Sequence, residues 1–166
     1  MEYKASLDTL AKIITIFVLL LFPFIIWTNW NLDTSVHGNV TFILIQSLTT
    51  ILFIAAIAIG YIYSTKKYII SNGELIIVRP VKEKRILISD IEEARLVEKG
   101  EMFGTIRTFG VGGMFGYFGK FYNSAFGSIT LYTTQKKNKI FIRTKQGNKI
   151  IISPDDLSLL QALNKS

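Results

Sequence analysis

Twenty-four consecutive residues, Val40 to Tyr63, carry no formal charge, and no other feature restricts the fold of this chain so strongly. As a helix rising 1.5 Å per residue the run extends roughly 36 Å, enough to cross a hydrocarbon core of about 30 Å with some tilt. An earlier apolar run, Ile13 to Trp27, has 15 residues. Leu10, Ala11 and a snorkelling Lys12 lengthen it toward a second span. The sequence therefore predicts a transmembrane hairpin over residues 1–65, with spans at about 10–29 and 40–63. Pro23 lacks a donor and is expected to kink the first span unless the second compensates. No Ala-x-Ala-like site follows Trp27, which favours a retained anchor over a cleaved signal peptide.

Charge divides the chain at the same place. Residues from Ser64 onward hold 17 of the 19 Lys and Arg and 9 of the 12 Asp and Glu, a balance of +8. The loop Thr28 to Asn39 has no Lys or Arg, whereas Lys4 and Lys12 precede the first span and Lys66 and Lys67 follow the second. The positive-inside rule then puts both termini in the cytoplasm and the loop outside. Trp27, Trp30, Tyr61, Tyr63 and Tyr68 fall near the expected water boundaries, where amphipathic rings sit well. Within the second span, Gln46, Ser47, Thr49 and Thr50 are candidates for hydrogen bonds to the first. Ala56 and Gly60 form a small-x-x-x-small pair that allows close helix approach.

Beyond Lys67 the pattern changes to short β-rich runs broken by turn signals, predicting an antiparallel β domain over residues 66–166. Tyr68–Ile70 and Leu75–Val78 flank Ser71-Asn72-Gly73-Glu74, where Asn-Gly suits a type I′ turn. Pro80 ends the second strand, Lys82–Arg85 turns, and Ile86–Ile88 and Ala94–Val97 resume; Ser89-x-x-Glu92 is a candidate cap for one helical turn. Ser128–Thr134 alternates Ile129, Leu131 and Thr133 against Thr130 and Tyr132, and Lys139–Thr144 and Lys149–Ile152 follow. Ser153 as N-cap, Pro154 at the first helical position, and Asp155 with Asp156 opposing the dipole predict a closing helix. Leu157, Leu160 and Leu163, with Leu159 beside them, give that helix an apolar face for the sheet.

Six or seven short strands followed by Ile-Ser-Pro-Asp-Asp and one amphipathic helix resemble the pleckstrin-homology-like domain over about Tyr68 to Asn164. The segment Arg107-Thr108-Phe109-Gly110-x-Gly112-Gly113-x-Phe115-Gly116-Tyr117-Phe118-Gly119, then Phe121-Tyr122, is similar to bacterial PH-domain proteins of the two-helix membrane type. The resemblance implies an α+β chain of the bacterial plasma (inner) membrane: a transmembrane hairpin, then an antiparallel β-sandwich or barrel closed by a C-terminal amphipathic helix. The phosphoinositide-binding members' basic Lys-x(n)-Lys/Arg-x-Arg pattern is missing from the first hairpin, so specific headgroup recognition is not implied there.

Glycines at 110, 113, 116 and 119 interleave with Phe109, Phe115, Tyr117, Phe118, Phe121 and Tyr122. One reading is an irregular excursion whose aromatics fold back over the sheet. The other is an exposed tip of Phe115, Tyr117 and Phe118 that meets the bilayer or a partner, with Arg107 and Lys120 at the headgroups. The nucleotide-binding glycine patterns fail, because position 115 is Phe and no Gly-Lys-Ser/Thr occurs. Lys66, Lys67, Lys82, Lys84 and Arg85 are candidate contacts to an anionic membrane surface, with solvated surface as the alternative.

Chemistry is sparse. Without cysteine there is no disulfide, thiolate zinc site or thiol nucleophile. The one histidine, His37, stands in the loop with Asp33, too few ligands for a metal. No nucleophile has a recognisable partner, so no catalytic residue, cofactor or metal is assigned and the chain is expected not to be an enzyme. The RNA-recognition signature is absent, and nucleic acid is not an expected partner. The expected role is a membrane-anchored noncatalytic module for protein interaction or self-assembly at the cytoplasmic leaflet. Anionic-lipid sensing is one alternative. An accessory subunit of a membrane enzyme or transporter, resting on Gln46, is another.

Overall fold

The computed structural model describes residues 1–31 and 40–164; His37, Asp33 and most of the connecting loop lie outside them. A short strand, β1 (Glu2–Lys4), comes before two long helices, α1 (Thr9–Asn31) and α2 (Val40–Tyr63). Both helices are long and apolar enough to cross a membrane, and their bounds fall within two residues of the expected spans. α1 continues through Pro23, and the adjacent Phe22 ring stacks on Phe53 of α2 with centroids 4.6 Å apart. The Thr49 and Thr50 hydroxyls do not bond across to α1. They donate to the carbonyls of Ile45 and Gln46 one turn back, the nearest acceptors in a helix whose neighbours are apolar.

The remaining strands are β2 (Lys67–Ser71), β3 (Glu74–Val78), β4 (Lys84–Leu87), β5 (Ile91–Leu96), β6 (Ile106–Gly113), β7 (Gly116–Asn123), β8 (Gly127–Thr133), β9 (Ile140–Thr144) and β10 (Lys149–Ile152), before α3 (Ser158–Asn164). They form two open sheets rather than a closed barrel: a four-stranded β1-β2-β3-β4 and a six-stranded β5-β9-β10-β8-β7-β6. Nor is the pairing wholly antiparallel. β10 hairpins with β9 and slots beside β8, so that Ile150–Ile152 run parallel to Thr130–Tyr132. The Asn-Gly turn forms as expected, with φ of 51° at Asn72 and 74° at Gly73. A single 3₁₀ turn, Ile88–Asp90, carries the chain between sheets without a side-chain cap from Ser89.

The two sheets differ in width, and that difference organises the core. One face of the wider sheet, at Ile140, Ile142, Ile150 and Ile152, packs against Tyr68, Leu75, Ile77 and Ile86 of the narrower one. β1 contributes Tyr3, and α3 closes the end with Leu159 and Leu163, while Leu157 and Leu160 are only partly buried. Each fully buried Leu or Ile here contributes about 1.5–3 kcal/mol relative to exposure. On the opposite face, Phe121, Ile129, Leu131, Phe141 and Ile151 form a second cluster with Phe126, and Val97 and Met102 pack over it.

Ser153 does not cap a helix. It is buried, its hydroxyl accepts from the amides of Thr134 and Gln135, and its own amide donates to the Tyr68 hydroxyl at 3.0 Å. α3 starts five residues later at Ser158, whose amide and hydroxyl donate to the Asp156 carboxylate. Those bonds hold the Asp156 carboxyl below the usual aspartate range.

Candidate functional site

The glycine-rich segment is a hairpin rather than an irregular excursion: β6 and β7 pair along their length, with one irregularity between Arg107 and Phe109. Gly110 and Gly119 face each other across the ladder, both at positive φ (138° and 115°). A Cβ on Gly110 would stand 2.8 Å from the Gly119 Cα, and one on Gly119 would stand 2.6 Å from the Gly110 Cα. The obstruction is backbone that cannot move aside, so the hairpin is encoded by this glycine pair despite glycine's low strand preference.

The tip of the hairpin, Met114–Phe115, seats on the two long helices. The Phe115 amide donates to the Thr15 hydroxyl at 2.8 Å, and that hydroxyl donates to the Ala11 carbonyl at 2.6 Å. The Phe115 ring meets Tyr61 of α2 edge-on, with centroids 5.7 Å apart. Gly60 is buried against Met114 and Phe115. Half of the small-x-x-x-small pair is thus covered within this chain, because the glycine admits the tip. Asp8 completes the junction as the cap of α1. Its carboxylate accepts from the amides of Ala11 (2.7 Å) and Lys136 (3.1 Å) and from the Tyr117 hydroxyl (3.2 and 3.3 Å). Burial, then the Asp8 charge, pushes the Tyr117 hydroxyl up to about 12.

The sequence-predicted residues therefore part company. Phe118 is buried (5% exposed), and Phe115 and Tyr117 are half-buried. An exposed tip made of these three does not form, because the helices occupy the place where it would project. Arg107 and Lys120 are exposed. Lys66 lies over the Tyr61 ring at 4.3 Å, and burial holds its ammonium below the usual lysine range. Lys67 pairs with Glu2 at 2.9 Å. Lys82, Lys84 and Arg85 are exposed at the β3–β4 end, where Arg85 is shared between Glu74 (3.4 Å) and Glu83 (3.0 Å).

Where the narrower sheet stops, the wider one continues as an overhang. In register across β8, β7 and β6, it places Thr130 and Tyr132 beside Lys120 and Phe118, then Phe109 and Val111. Ile59 and Tyr63 at the end of α2 and Arg79 just past β3 wall the other side, leaving a groove of about 760 Å³. The Arg79 guanidinium lies 5.7 Å from the Tyr63 ring and 5.6 Å from the Tyr132 ring, and its Nε donates to the Lys82 carbonyl at 2.7 Å. Among the described residues, Arg79, Arg107 and Lys120 have no carboxylate partner. Arg95, on the opposite face, instead binds Glu101 at 2.7 Å and Glu93 at 3.1 Å. Sequence reading missed Arg79, whose role depends on two sheets of unequal width and has no local signature. Gln46 lines neither this groove nor a smaller polar one of about 360 Å³ beside Lys84 and Arg85. Among the described residues no three His, Cys, Asp or Glu gather in a metal-binding arrangement.

This arrangement of two sheets, a closing helix and a basic groove offers surfaces for contact, and PH-like domains are in general noncatalytic interaction modules. No curated protein and no solved structure matches the chain. A family model described as "Bacterial PH domain" matches residues 66–166, more than half of the chain. The chain belongs to the bacterial PH domain family.

Proposed function

We propose that this protein is a noncatalytic interaction module anchored by its helical hairpin in the bacterial plasma membrane, with both termini and the PH domain on the cytoplasmic side. One observation carries this reading: β1 precedes α1 and β2 follows α2, yet Glu2–Lys4 pair with Lys67–Ile69 in one sheet. Both ends of the hairpin therefore emerge on the same side and enter the same domain, the side that carries Lys4, Lys12, Lys66 and Lys67. The Thr15–Phe115 and Asp8–Tyr117 bonds hold the domain against the helix ends, so the overhang beside α2 is presented at a set height above the bilayer. The free edge of β6, with Ile106 65% and Phe109 79% exposed, supports a second reading, in which a protein partner or another copy docks there.

Membrane fractions washed with carbonate and high salt, followed by protease treatment of intact spheroplasts, test the anchoring. The chain is expected to stay in the pellet until detergent is added, and the region after Tyr63 to survive external protease. Release by salt, or digestion of that region from outside, defeats the reading.

A further inference from the structure

The groove between the overhang and α2 differs from both basic clusters picked out in the sequence. Its floor is apolar, with Phe118 and Val111 from the sheet and Ile59 from the helix. Its charged groups are of one sign: Arg79, Arg107 and Lys120 line it, and no Asp or Glu does. The three cations have no carboxylate partner among the described residues, whereas Arg85 and Arg95 elsewhere on the domain are each shared between two carboxylates. A concave apolar surface with a few convergent charges is the usual form of a small-molecule site, and about 760 Å³ is within the usual size for one.

Position narrows the ligand further. Ile59 and Tyr63 belong to the last turns of α2 and are 54% and 52% exposed, so one wall of the groove is the end of a membrane-length helix. The adjacent hairpin tip touches Thr15 and Gly60, which on the anchored reading puts the groove at the level where acyl chains give way to headgroups. A ligand there meets hydrocarbon on one side and unpaired guanidinium and ammonium groups on the other.

We propose that this groove binds one anionic phospholipid from the adjoining leaflet, its phosphate held by Arg79, Arg107 and Lys120 and the upper part of an acyl chain lying along Phe118, Val111 and Ile59. Arginine matches a phosphate with paired donors, and Arg79 is already oriented by its bond to the Lys82 carbonyl and by the Tyr63 and Tyr132 rings. The inference rests on the anchored reading for the source of the lipid. The site is separate from the first hairpin at Ser71–Glu74, which lacks basic residues.

The full chain, purified in detergent, is titrated with phosphatidylglycerol, with phosphatidylcholine of the same chains, and with glycerophosphoglycerol, which has no chains, and complexes are read by native mass spectrometry. Phosphatidylglycerol is expected to bind in preference to phosphatidylcholine, and the chainless headgroup not to displace it. Arg107→Glu with Lys120→Glu is expected to weaken binding about 30-fold or more, the effect of removing two cations. Lys82→Glu with Arg85→Glu, outside the groove, is expected to change it less than threefold. Equal binding of the two lipids, displacement by the chainless headgroup, or equal losses in the two double variants would each overturn the proposal. Should Arg107→Glu with Lys120→Glu fail to fold, Val111→Trp narrows the apolar side with every charge intact, and undiminished binding there also overturns it. A photoactivatable phosphatidylglycerol on the unaltered chain gives a check without substitutions: labelling is expected in β6, β7 or the end of α2, and labelling confined to other segments refutes the site. These readouts are made in detergent, so they fail or succeed independently of the salt wash that tests the anchor.

Discussion

Two hairpins of this domain, β2–β3 and β6–β7, reach their turns by opposite routes. The first turns on Asn72-Gly73, a pair whose local preferences already specify the conformation, and open space surrounds the Gly73 turn position. The second turns on Met114-Phe115, a pair with no such preference, and Phe115 sits at a φ of 55°. Its conformation is supplied from outside, by the Thr15 hydroxyl on its amide, Tyr61 on its ring and the glycine pair that lets its strands meet. A turn made by its own residues can be free at its tip. One imposed by its surroundings must be held, and this one is held by the helices.

The contrast predicts how each hairpin fails. Gly119→Ala should be the most damaging change, about 3 kcal/mol or more of stability, because a Cβ meets fixed backbone at a positive φ; denaturant unfolding of the solubilised chain measures it, and a loss below about 1 kcal/mol would break the argument. Thr15→Val keeps the shape of the side chain but leaves the Phe115 amide without its acceptor, for an expected loss of about 2 kcal/mol. It should also raise amide exchange at the β6–β7 tip and leave the β2–β3 tip unchanged. Gly73→Ala strains only a left-handed turn in open space and should cost about 1 kcal/mol, with no effect on exchange at Phe115.

The last effect is silent at neutral pH. The Tyr117 hydroxyl is pushed up to about 12 by burial and by Asp8, above the unfolded value of about 10. A raised folded pKa stabilises fully below the unfolded value, and that contribution drains away as pH rises from about 10 through about 12. Among the late-titrating tyrosines, which include the buried Tyr68 and the partly buried Tyr132, ultraviolet titration should find one that moves earlier in Asp8→Asn, and the tip should loosen in that alkaline window while the first hairpin does not respond to the Asp8 change.

What could be read from the sequence follows the same division. The two spans, the Asn-Gly turn and the alternation of β8 are local patterns, and each appears within two residues of its expected place. β1 was invisible because three residues, Glu2–Lys4, have no period of their own and their partners lie some 65 residues away. The β6 and β7 strands were hidden by their glycines, whose purpose shows only when Gly110 and Gly119 stand opposite each other. At Ser153 a complete local signal was overruled: the Thr134 and Gln135 amides claim its hydroxyl, and the helix begins at Ser158 instead. The groove was least legible, since Arg79, Arg107 and Lys120 converge only where one sheet outruns the other.

β1 has a further consequence for how the protein is made. Its three residues leave the ribosome before either helix, but their places beside Tyr68 exist only after α2 has brought the chain back to β1. In the proposed membrane topology, a molecule whose second helix failed to come back would keep Tyr3 and its partners in different compartments and leave the edge of β2 bare. On that topology, completion of the small sheet would serve as a proofreading step, in which the domain closes only around a correctly threaded anchor.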